Sequence, residues 1–80
     1  MQKNTKTYYA ALRGKLKEKG FDASRAQTYD GMLRVWDGIR MLGDIGPQGE
    51  FYCNSNDLAD PHRKVQIETI MQCIEEVNRS

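Results

Sequence analysis

The stretch FDASRAQTYDGMLRVWDGIRML, Phe21 to Leu42, decides how this chain of 80 residues is read. Advancing about 100° per residue brings Tyr29, Met32, Leu33, Trp36 and Ile39 to one side. Val35 and Leu42 widen that side. Ser24-Arg25-Ala26-Gln27 matches a capping box, with Asp22 a competing cap one turn earlier. The spacing predicts a central helix over residues 22–42. Its apolar arc is wide enough to call for packing on more than one side. Asp30, Arg34 and Asp37, spaced four and three apart, suit ion pairs on its remaining side. Gly43 closes it.

The same stretch holds a short echo: Tyr29-Asp30-Gly31-Met32 returns seven residues later as Trp36-Asp37-Gly38-Ile39. Two copies are too few for a repeat architecture. On a helix, Gly31 and Gly38 would share one edge and admit a close backbone. That neighbour is a partner helix of the same domain or a second subunit, which would make a homodimer through the Gly31/Gly38 edge. The alternative is that each Asp-Gly turns a hairpin between short strands. The three-to-four periodicity running through both glycines favours the helix.

Outward from this stretch, a first helix is expected over about 5–19, capped by Asn4 or Thr5. Tyr8, Leu12 and Leu16 recur every four residues, with Tyr9 beside them. Gly20 suits the left-handed position past a helix end, and Phe21 the apolar contact back to Leu16. Gly14 weakens this helix by about 1 kcal/mol relative to Ala. A last helix is expected over 61–78, with Asp60 as cap and Pro61 at its first position. Ile67, Ile70, Met71, Ile74 and Val77 form its apolar stripe, with Cys73 at the margin.

Residues 44–59 break the pattern. Asp44 to Gly49 is turn-rich, Glu50 to Cys53 reads as extended, and Asn54 to Asp57 as loop. Loops of this length in a small domain are often functional. The expected fold is mainly α: one three-helix domain over 1–80, with a long loop, or a short β-hairpin, before the last helix.

Composition sets the frame. A hydrophobic content of 39% supports one modest core. A domain of this size buries only roughly 60% of its unfolded surface. Cys53 and Cys73 are the only cysteines, too few for a secreted disulfide scaffold, so reduced thiols in the cytoplasm are expected. A Cys53–Cys73 bridge would need a geometry that sequence does not establish. No signal peptide is legible, and no apolar run approaches the roughly 18 residues of a membrane span.

The chemistry-bearing residues are sparse. His62 is the single histidine, and no second histidine or CxxC pair joins it in a metal set. Cys53 has no evident base. Gly46-Pro47-Gln48-Gly49 lacks the lysine of a phosphate loop, and Asn54 to Asp57 lacks calcium-loop spacing. The chain is therefore expected to be non-enzymatic, without cofactor or metal. Two surfaces carry sharper readings. The aromatic pairs Tyr8/Tyr9 and Phe51/Tyr52 are candidates for docking on a larger protein, as a regulator, inhibitor or accessory subunit would. The alternative rests on charge: the net charge is +1, yet residues 1–19 hold six basic side chains against Glu18 alone. Lys6, Arg13 and Lys17 fall on one side of the first helix and could follow a nucleic-acid backbone.

Overall fold

The first helix, α1, spans Thr5–Glu18. It stops because Gly20 adopts a φ of 90°, which a side chain would oppose. The Phe21 N–H then donates to the Leu16 carbonyl at 2.9 Å, and the Gly20 N–H to Lys17 at 3.0 Å. These are the two bonds of a Schellman stop, and they turn the chain back along the helix it has just left.

The computed structural model describes residues 5–25 and 31–79. Beyond α1 it departs from the three-helix expectation. Strands β1 (Asp22–Arg25), β2 (Leu33–Asp37), β3 (Arg40–Ile45) and β4 (Phe51–Tyr52) form one antiparallel sheet in the order β1-β2-β3-β4. A five-residue helix, α2 (Ser55–Ala59), and a long one, α3 (Pro61–Arg79), complete the chain. The fold is α+β, not mainly α, and it is not a helical bundle. The central helix expected over 22–42 is replaced by β1, β2 and the start of β3. Residues 26–30, which include Tyr29 and Asp30 of that expected helix, lie outside the described residues.

The physical reason lies in a second period within the same residues. Leu33 and Val35 are buried, while Arg34 and Trp36 point to the other face of the sheet. Asp37-Gly38-Ile39-Arg40 makes a two-residue hairpin turn, in which Gly38 takes a φ of 65°. Among the described residues nothing lies within 4 Å of a Cβ built on Gly38, so this glycine serves the turn rather than a close approach of another described segment. The helical edge on which Gly31 and Gly38 would align does not form. A helix would also carry the roughly 1 kcal/mol cost of each interior glycine, which the hairpin avoids.

A β-bulge sharpens the inward face. Val35 pairs with Gly43 and Trp36 with Met41, so Leu42 is the extra residue. Leu42 turns inward, whereas Met41 stays beside Trp36 on the outer face. Gly43 is required at this point. A Cβ there would stand 2.6 Å from both the Phe51 ring and the Tyr52 carbonyl oxygen.

One core joins the layers. Tyr8, Tyr9, Leu12 and Leu16 of α1 meet Leu33, Val35, Leu42 and Ile45 of the sheet and Ile70, Cys73, Ile74 and Val77 of α3. Both long helices therefore pack on the same sheet face. Tyr9 fastens α1 to β3 by donating its hydroxyl to the Ile45 carbonyl at 3.2 Å. The opposite face carries Arg34 and Asp44, paired through two bonds of 2.9 and 3.3 Å.

Candidate functional site

Three short elements shape one groove. The chain leaves β3 through Gly46-Pro47-Gln48-Gly49, where the Gly46 N–H donates to the Glu50 carbonyl at 2.8 Å. This brings Phe51 beside Ile45 and directs its ring inward over Gly43. Asn54 then caps α2, its side chain accepting from the Asn56 N–H at 2.9 Å. Asp60 caps α3 in the same way through the His62 N–H, at 2.9 Å. The turn into α3 leaves Leu58 and α3 facing Phe51 and Cys53 across an open groove of about 600 Å³.

The groove is apolar along its floor and charged at its rim. The buried Ile67 and Ile74 line it together with the exposed Met71, Glu50, Glu75 and Arg79. Arg79 pairs with Glu75 one turn back, so these two present a neutralised pair. Leu58 is 48% exposed and Met71 53%. Both are large apolar side chains left about half exposed, and both line the same concavity. That combination is the ordinary form of a binding site for apolar ligands or side chains.

The aromatic candidates separate. Tyr8 and Tyr9 are each only 4% exposed, with ring centroids 6.1 Å apart, and belong to the core. Consecutive helical residues share the interior because α1 lies in the angle between the sheet and α3, which touch it on two sides. Phe51 lines the groove, half-buried. Tyr52, its neighbour on a strand, points to the other face of the sheet and is 52% exposed. Met71 and Cys73 exchange the positions that the helical stripe gives them: Cys73 is fully buried and Met71 borders the groove. The sequence signal for Met71 was present as an apolar arc wider than the core needs. Leu58 had none, since it follows four polar residues in what reads as loop.

Electrostatics hold the thiols and the buried phenol neutral. Burial, and then the Asp57 carboxylate, push Cys53 up from its ordinary value of 9.0. A protonated thiol is a poor nucleophile, so Cys53 contributes to the groove as a small apolar side chain. Both cysteines are free. Burial likewise raises Tyr8, against a hydrogen bond with Asn78 that lowers it, with Glu50 adding to the rise. His62 is exposed at the start of α3. Among the described residues no group of three His, Cys, Asp or Glu side chains could hold a metal ion. No described helix is long and apolar enough to cross a membrane.

The basic candidates are all on the surface. Lys6, Arg13 and Lys17 are exposed on α1, and Arg13 and Lys17 flank a smaller cleft between that helix and β1. No family model, no curated protein and no solved structure matches this chain.

Proposed function

We propose that this chain is a small binding protein, not an enzyme, and that it docks an apolar-faced helix of a larger protein in the groove beside α3. One observation carries the reading: Leu58 and Met71, each about half exposed, border a groove of about 600 Å³ whose floor is apolar. The ridge of Ile67, Met71, Ile74 and Asn78 runs roughly 16 Å along α3, about three helical turns. Ridges at spacings of three and four accept the side chains of a second helix, the packing by which amphipathic helices enter grooves. Phe51 supplies an aromatic anchor on the opposite wall. Two free thiols suit a reducing compartment, and the cytoplasm is the site of action in this reading.

The test is comparative. The full chain and its Leu58→Glu and Met71→Glu variants are immobilised and exposed to host extract. Both substitutions fall on half-exposed positions, so thermal midpoints should stay within a few degrees. A stoichiometric partner retained by the parent and by Val65→Glu, but lost from both groove variants, is the expected result. Val65 is 61% exposed and does not line the groove. A partner retained equally by all four proteins would end the proposal.

A further inference from the structure

We propose that the cleft between α1 and the outer edge of β1 takes an extended acidic peptide, which joins the sheet beside β1 with its carboxylates against Arg13 and Lys17. The first observation is topological. β1 ends the sheet, and among the described residues only β2 pairs with it. In an antiparallel pair, alternate residues turn both N–H and C=O away from their partner strand. The open edge of β1 is thus a template for one more strand.

The second observation is shape. The Schellman turn at Gly20 lays α1 back over β1, and the cleft opens between them with a volume of about 280 Å³. Its helical wall is cut low by Ala10 and Gly14. Among the described residues a Cβ built on Gly14 meets nothing within 4 Å, so there is room beside the helix at this point.

Charge then selects the occupant. Arg13 and Lys17 line the cleft, are exposed, and enter no ion pair among the described residues. They lie one turn apart, a rise of about 6 Å along the helix. Side chains at alternate positions of a strand are separated by about 6.7 Å. Two carboxylates at alternate positions of an added strand therefore match the two cations. A nucleic acid fits less well. A strand edge offers its donors and acceptors to a peptide backbone, whereas Asp22 in the same cleft repels carboxylate and phosphate alike and so does not discriminate between them.

The experiment pans a display library of linear heptapeptides against the full chain, then measures the selected peptides by titration. Expected are sequences with Asp or Glu at alternate positions, slowed amide exchange within Asp22–Arg25 on binding, and affinity roughly tenfold or more weaker for Arg13→Glu with Lys17→Glu. Gly14→Leu, which fills the cleft without touching the core, should abolish binding. Selection of peptides without acidic residues would overturn the proposal, as would binding that survives Gly14→Leu. Failure to select any peptide, or salt-sensitive binding of an oligonucleotide in place of peptide, would do the same. Met71→Glu, in the other groove, should leave this binding unchanged.

Discussion

Helix α3 and the hairpin β2–β3 both carry apolar side chains at spacings of three and four, and only one of them is a helix. In α3 the spacing has a single solution. Ile67, Ile70, Ile74 and Val77 cannot all reach one face of a strand, because odd separations alternate across it. In residues 33–45 two solutions coexist. Leu33 and Val35 share a strand face, whereas Leu33 and Trp36 would share a helix side, and Leu42 joins the strand face through a bulge. Where periodicity is degenerate, glycine decides. α3 contains no glycine, whereas Gly38 and Gly43 stand at the two points where the hairpin needs a left-handed φ and a missing side chain.

Substitutions can break this contrast, beginning with the core of α3. Ile70→Ala should cost about 2–5 kcal/mol in denaturant unfolding, because the side chain is wholly buried. Met71→Ala, one residue on, should cost less than about 1 kcal/mol, since Met71 borders the groove. Equal losses at both positions would contradict the orientation of α3. Gly43→Ala comes next, with an expected loss of about 1–3 kcal/mol from overpacking against Phe51 and the Tyr52 carbonyl. Gly38→Ala and Gly14→Ala then form a signed pair. The first should destabilise by about 1–2 kcal/mol through the left-handed φ of its turn. The second should stabilise by about 0.5–1 kcal/mol, since Gly14 lies inside a true helix with open space beside it. Two gains of the same size would mean that both glycines are helical.

The smallest effect is a pH dependence. Burial raises Cys73 from its ordinary 9.0, and Glu76 adds to the rise while Lys19 and Lys15 oppose it. The folded protein thus holds this proton more tightly than the unfolded chain. That contribution is complete below about pH 9 and fades as pH climbs through the folded value. Thermal midpoints should begin to fall just above pH 9, with Tyr8 extending the fall above pH 10. Cys73→Ala should remove the earlier part. An unchanged profile in that variant would show that the thiol is not held protonated by the fold.

The ends of the molecule were legible and its middle was not. Gly20 with Phe21, and Asp60 with Pro61, are stop and start signals that act through neighbouring backbone groups, so a local reading finds them. The sheet rests on pairings between residues far apart in the chain. Arg34 meets Asp44 across the strands, and Asp37 accepts from Gln66 of α3 at 2.8 Å and pairs with Arg63. On a helix, Arg34 and Asp37 would have satisfied one another, and local spacing could not reveal the longer partners. The site divides similarly. Phe51 is visible as an apolar residue in an odd place, and the structure brings it to the groove. Tyr8 and Tyr9 carry the same signal but are absorbed by a core that touches α1 on two sides. Leu58 becomes a groove residue through the short helix α2, which the Asn54 side chain caps.

The hairpin also supplies Gly43, against which the Phe51 ring packs where it lines the groove. Backbone NMR of the full chain tests that claim most directly. Strand-like Cα and Cβ shifts over 33–37 and 40–45 are expected, with a cross-strand contact between Val35 and Gly43 and helical shifts over 61–79. Unbroken helical shifts from Leu33 through Leu42, without that contact, would contradict the fold and remove the groove with it.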